Sequence, residues 1–185
     1  YEEIPKQGDG IGPDYPQPDE AKGQRIGRAA SAFMLGLPGS SYLYQGEELG
    51  LPEHTTLEAN YRQDPTFFRT KGERVGRDGC RVPIPWEANA PAFGFSSTGK
   101  SWLPQPENYR RYSRDQQQGV PGSTLELYKK LLKLRKQFGL GDGEMEWVTD
   151  FCSESTLAYK NNSVVVVANF GPEALALPAG EVLVT

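Results

Sequence analysis

A handful of side chains in this sequence have the right chemistry to act on a substrate, and their spacing removes most of them. Glu47 and Glu48 have the look of an acid/base pair. They follow a short apolar run that reads as a strand, and neighbouring strand residues point to opposite faces, so the two cannot share one substrate. A structural role is expected for both. His54 is the single histidine and has no Ser, Cys or second His at useful spacing, so a solvent-exposed loop residue is expected. Cys80 and Cys152 show no CxxC spacing and are too few for a disulfide framework. Two free thiols in a reducing compartment, with no metal and no cofactor, are the expectation. Asp64, in Gln63-Asp64-Pro65, suits an Asx turn. Arg77 stands beside Asp78, with which it can pair, and Arg81 is placed to anchor a Pro-rich turn.

The elements that must position these residues are unevenly marked. Residues 1–19 carry Pro5, Pro13, Pro16 and Pro18 with Gly8, Gly10 and Gly12, a density that only loop tolerates. Ile26, Ala29, Ala30, Phe33, Met34 and Leu37 then recur at helical spacing, predicting a helix over 20–36 stopped by Gly36, Pro38 and Gly39. The run Ser41-Tyr-Leu-Tyr-Gln45 reads as a strand buried on both faces, as in a parallel sheet. From 51 to 122 neither period is sustained, and an aperiodic stretch of that length in a compact domain is usually functional.

Periodicity returns at Ser123. Ser123-Thr-Leu-Glu126 fits a capping box, and Leu127, Leu131, Leu134 and Phe138 line one face of a helix over 124–138, ended by Gly139. Beyond it the pattern is β, with five short candidate strands at Met145–Thr149, Thr156–Lys160, Val164–Asn169, Ala174–Leu177 and Glu181–Val184, and a hairpin turn at Asn161-Asn162. The expected boundary falls at 139–143, dividing 1–138 from a β domain at 139–185.

Composition bounds the function classes. Hydrophobic residues make up 37% and charged residues 24%, a globular profile. The 21 glycines and 15 prolines far exceed the usual share of about 12%, so much of the chain is turn and loop. A net charge of −4 argues against a nucleic-acid partner. No stretch approaches the roughly 20 apolar residues of a membrane span, so no membrane partner is expected. The chain opens on Tyr1 without an initiator Met or a basic-then-apolar leader; the expectation is a cytoplasmic protein whose true N-terminus lies elsewhere.

Two segments carry a family resemblance. Leu37-Pro-Gly-Ser-Ser-Tyr-Leu-Tyr-Gln-Gly-Glu-Glu-Leu-Gly-Leu51 resembles the eighth barrel strand of glycoside hydrolase family 13, in the branch holding α-glucosidases, oligo-1,6-glucosidases and sucrose isomerases. Gly76-Arg-Asp-Gly-Cys-Arg-Val-Pro-Ile-Pro-Trp86 looks like that branch's "RDxxRTPMxW" segment. Phe93-Gly-Phe-Ser96, Trp102-Leu-Pro104 and the Leu-Tyr-Lys-Lys-Leu-Leu-Lys-Leu-Arg-Lys helix follow in the family's order, so the likeness covers about 21–138. Ser41 and Val82-Pro-Ile depart from the family's Pro and Thr-Pro-Met without requiring a different backbone.

The resemblance implies an α/β chain: the last helix–strand–helix of a (β/α)₈ TIM barrel, then a small antiparallel β-sandwich. In such barrels the active site is built from loops after the strands, which would account for 51–122. Family members are retaining enzymes with a nucleophile and an acid/base carboxylate about 5 Å apart. No "GFRxD" or "NHD" segment is present, so no catalytic residue is expected in this chain and an N-terminal barrel portion is expected as its partner. The expected substrate is an α-glucoside oligosaccharide. The resemblance places Arg77 on the hydroxyls of the terminal glucose, where a guanidinium fork donates twice, and Asp64 at the border of the leaving-group subsite. Tyr61, Phe67, Phe68, Trp86, Phe93, Phe95 and Trp102 are expected mostly to pack the loop, with one or two stacking on sugar. The alternative is a non-catalytic relative, such as a transporter heavy-chain ectodomain or a sugar-binding module. Apolar surfaces deprived of the rest of the barrel would favour self-association.

Overall fold

The computed structural model describes residues 10–184, so the first half of the N-terminal loop expectation lies outside the described residues. Four α-helices and one three-stranded sheet follow: α1 (Glu20–Gly36), α2 (Pro65–Arg69), α3 (Arg114–Gln117), α4 (Thr124–Gln137), β1 (Met145–Trp147), β2 (Thr156–Asn161) and β3 (Val164–Asn169). The chain forms two compact units. One holds Gln45–Leu125 with the stretch ending at Gln24; the other holds Arg25–Tyr44 with the chain from Glu126 onward.

In the second unit, α1 and α4 form where the 3.6-residue period predicts them. Leu35, Tyr128 and Leu131 make its core, with Ala32, Met34, Leu127 and Val184 packed around them. Burying a side chain such as Leu35 contributes about 1.5–3 kcal/mol. Arg135 gathers the orphan carbonyls at the end of α1: its Nη1 donates to Leu35 O (2.7 Å) and Leu37 O (2.6 Å), and its Nη2 to Gly39 O. A cation there also suits the helix dipole. Gly139 ends α4 in the left-handed region, as its position predicts.

The sheet is antiparallel in the order β1-β2-β3. Its hairpin loop is Asn162-Ser163 and not the expected Asn161-Asn162, because Asn161 still pairs with Val164. Asn162 takes the positive φ of 52° that the two-residue turn needs. The sheet shares its core with α1. Tyr159 donates its hydroxyl to Phe33 O (2.5 Å) and meets the Phe33 ring edge to face at 4.9 Å. Gly36 makes this approach possible, since a Cβ there would fall 2.4 Å from the Tyr159 hydroxyl.

Two expectations are corrected. The described residues carry one sheet of three strands and not a sandwich, because Ala174–Leu177 and Glu181–Val184 have no ladder partner and lie among Pro172, Pro178 and Gly180. The run 41–45 is not a strand. Tyr42 is 87% exposed, with Leu43 and Tyr44 also exposed, and no described backbone pairs with it. An apolar run becomes a strand only when a neighbour supplies the ladder.

The first unit explains the long aperiodic stretch. It is a chain of 3₁₀ turns at Glu47–Leu49, Ala59–Tyr61, Asp78–Arg81, Pro91–Gly94 and Glu107–Tyr112, punctuated by α2 and α3. Its core is Leu57, Val82, Phe93, Leu103 and Tyr109, residues too far apart in sequence to leave a period. Gln117 ties it together from inside: its Nε2 donates to Leu49 O (2.9 Å) and Tyr112 O (3.0 Å), and its Oε1 accepts from Leu125 N (3.2 Å).

Candidate functional site

Asp64, Arg77 and Arg81 meet at one place in the first unit, around two carboxylates, each of which holds backbone N–H groups of the other's segment. Asp78 is fully buried. Its Oδ2 accepts from Gln63 N and Asp64 N, both at 2.9 Å, and its Oδ1 accepts from Arg81 Nη1 at 3.4 Å. Asp64 holds two further backbone groups. Its Oδ1 accepts from Thr66 N (2.9 Å), capping α2 with Pro65 at the first helical position, and its Oδ2 accepts from Arg77 N (3.1 Å). Arg81 Nη1 also lies 3.2 Å from Asp64 Oδ2, so one guanidinium serves both carboxylates. Arg81, expected to anchor the Pro-rich turn, spends its charge on these two carboxylates.

Electrostatics follow the donors. The Thr66 backbone N–H, then that of Arg77, the Thr66 hydroxyl and the Arg81 charge, hold the Asp64 carboxyl down to about 2 against the opposing effect of burial. Asp64 is therefore ionised at neutral pH, buried, and committed on both oxygens. Arg62 is buried beneath, donating from Nη1 to Val75 O (3.0 Å) and from Nη2 to Leu57 O (2.8 Å).

Arg77 is the contrasting member. Its backbone is held from both sides: N–H on Asp64, and C=O accepting from Cys80 N (3.3 Å) and Cys80 Sγ (3.1 Å). Its side chain is exposed and makes no hydrogen bond or ion pair with another described residue. The pairing with Asp78 that its sequence neighbour suggested is not formed; Arg81 takes that carboxylate. Gly76 makes room for this arrangement, since its φ is +69° and a Cβ there would sit 2.6 Å from Asp64 Cγ.

Other candidates fall elsewhere. Glu47 and Glu48 lie on a 3₁₀ turn and not beyond a strand; Glu48 Oε2 accepts from Gly46 N (2.9 Å), a local brace. His54 is half-buried, contrary to the exposed position expected, with its N–H on Gly79 O (3.0 Å). Burial, followed by the Arg62 charge, lowers its affinity for a proton. Neighbouring Glu53 is pushed up by burial, partly offset by Arg62. Both cysteines are free. The aromatic set does not mostly pack the loop: Phe93 is buried, while Tyr61, Phe68, Trp86, Phe95 and Trp102 are exposed. Asp78, read from the sequence only as a pairing partner for Arg77, instead holds the backbone of Gln63 and Asp64, contacts 15 and 14 residues away that its spacing does not announce. Among the described residues no cluster of three or more His, Cys, Asp or Glu is arranged to hold a metal ion, and no helix is long and apolar enough to cross a membrane.

Comparison with known proteins gives one family. The description "Alpha amylase, catalytic domain" matches residues 17–141. The salivary alpha-glucosidase of Aedes aegypti is 34% identical over 149 residues, covering 76% of this chain and 25% of that protein. A probable alpha-glucosidase of Rhizobium meliloti (strain 1021) is 38% identical over 119 residues, 64% of this chain and 21% of the other. Among solved structures, the trehalose-6-phosphate hydrolase of Bacillus licheniformis superposes with a TM-score of 0.65 at 25% identity, over 82% of this chain and 31% of that one. The chain thus spans about a quarter of the length of the curated relatives it matches.

Proposed function

Because this chain belongs to the alpha-amylase family, we propose that it is the C-terminal part of an α-glucosidase that removes α-linked glucose from the non-reducing end of short oligosaccharides with retention. Residues 1–138 then close a (β/α)₈ barrel, with 51–122 as its enlarged last active-site loop, and 139–185 belong to an accessory β domain. In the complete barrel, Tyr42–Tyr44 would find the ladder neighbours it lacks here. The nucleophile and acid/base carboxylates belong to the rest of the enzyme, and this part lines the substrate pocket. Arg77 contacts the terminal glucose, and the segment carrying Asp64 borders the leaving-group side. The free thiols of Cys80 and Cys152 support a cytoplasmic setting.

One observation carries the reading. Beside Asp64 and Asp78, whose carboxylates are already engaged, Arg77 has a fixed backbone and an uncommitted, exposed guanidinium. A structural arginine would be spent on its neighbours, as Arg62 and Arg81 are. A fork with free donors, rooted on a fixed backbone, suits recognition of vicinal hydroxyls. In the complete enzyme, Arg77→Ala is expected to lower kcat/KM by at least about a hundredfold, or ~3 kcal/mol, with the melting temperature nearly unchanged. A sharp fall in melting temperature with little change in kinetics would make Arg77 structural.

A further inference from the structure

We infer that Asp64 is a positioning residue that acts on substrate only through Arg77, an inference that rests on Arg77 contacting substrate. Three observations lead there. Asp64 is buried with both carboxylate oxygens engaged, so it has no free acceptor to offer a sugar hydroxyl. One of those oxygens takes the backbone N–H of Arg77 itself, at 3.1 Å. Gly76, the residue before Arg77, is held in the left-handed region with its Cα against the Asp64 side chain, in a space that no larger residue fits. The direction of the Arg77 Cα–Cβ bond is therefore set by Asp64 on the N–H side and by Cys80 on the carbonyl side. Asp78 completes the brace from behind, because it holds the N–H of Asp64. The guanidinium, at the end of four rotatable bonds, inherits the placement of that one backbone position.

The two oxygens of Asp64 have separable duties, which makes the inference testable. Asn and Ser are both good N-caps and keep the Thr66 contact on α2. An Asn amide in place of Oδ2 cannot accept from Arg77 N, and Ser is too short to reach it. Asp64→Asn and Asp64→Ser therefore cut the links of Oδ2 to Arg77 N and to Arg81 while sparing the helix, and an effect that ran through Arg81 alone would persist beside Arg77→Ala.

Two measurements decide the matter. In the chain itself, amide exchange at Arg77 is expected to quicken at least about tenfold in both variants, with the α2 amides little changed. In the complete enzyme, a double-mutant cycle is read with an aryl α-glucoside. Asp64→Asn is expected to lower kcat/KM about tenfold beside a native Arg77 and less than about twofold beside Arg77→Ala. A residue that merely supports the fold would give the same loss in both backgrounds. Equal losses, or unchanged exchange at Arg77, overturn the inference while leaving the role of Arg77 intact. Native kinetics for Arg77→Ala alone would sink the underlying reading and this inference with it.

Discussion

Asn161 and Asn162 are neighbours of identical chemistry with opposite expected importance, and replacing each in turn measures what burial does to one amide. Asn161 is fully buried; its Nδ2 donates to Gly36 O at 2.8 Å and to Leu140 O at 2.9 Å. It joins the end of α1 to the turn after α4 through a strand residue. Asn161→Ala abandons two buried carbonyls, each costing about 1–3 kcal/mol when left unpaired. Against this stands Asn161 Oδ1, which has no hydrogen-bond partner. Its removal returns about 1 kcal/mol. The net expectation is a loss of about 1–5 kcal/mol. Asn162 also donates to two carbonyls, Phe138 O (3.0 Å) and Gly139 O (3.1 Å), but in the open. Glycine accepts its φ of 52°, so Asn162→Gly should cost less than about 1 kcal/mol. Urea unfolding of the chain, followed by circular dichroism with the m-value checked for constancy, gives both numbers. If Asn161→Ala costs no more than Asn162→Gly, the argument from buried carbonyls is wrong.

Three further outcomes are expected. Gly76→Ala must place a Cβ 2.6 Å from Asp64 Cγ at positive φ, so thermal unfolding should report a loss of at least about 1–3 kcal/mol, where a clean replacement elsewhere would be near neutral. Asp64, ordinarily near 3.8 and held at about 2 in the folded chain, stabilises the fold above its unfolded value; that contribution fades as pH falls from about 4 to about 2. The melting-temperature gap between the native chain and Asp64→Asn should narrow across that window, and a gap that stays constant would contradict the assignment. Finally, the exposed run Tyr42–Tyr44 and the exposed Ile26 on α1 should drive self-association at micromolar concentration. Sedimentation velocity should show a dimer or larger species that Leu43→Lys returns toward monomer; a clean native monomer would remove the idea.

The parts of this fold that the sequence made legible are those where one interaction repeats. Leu127, Leu131 and Leu134 recur every three or four residues, and α4 follows within a residue of the expected end. Val164–Val167 is legible for a related reason, as an unbroken β-branched run, whereas the burial of β2 breaks alternation at Ala158 and Tyr159. The run at 41–45 misled because an apolar pattern reports the wish to be buried and not the presence of a partner. The loop at 51–122 was opaque because its core residues are single contacts between distant turns. The same holds for the site. Arg77 and Arg81 were visible as candidates, but which of them would spend its charge on Asp64 and Asp78 depends on a turn that folds Arg81 back over both carboxylates. Asp64 could be recognised as an Asx-turn former, yet its second oxygen finds Arg77 N only because Gly76 lets the backbone pass so close.

The bracing of Asp64 by Asp78, and of Arg77 by Asp64, also makes the intervening chain an exchangeable cassette. Residues 65–75 depart and return at a single fixed point, where Asp64, Arg77 and Asp78 are knotted to one another and Arg62 secures Val75 O. Lengthening such a loop costs only about 0.6 kcal/mol per doubling. Insertions there, or a graft from another protein, would leave the root of Arg77 where it is. The protein can thus alter the exposed surface that α2 and Phe68 present without moving the backbone of Arg77.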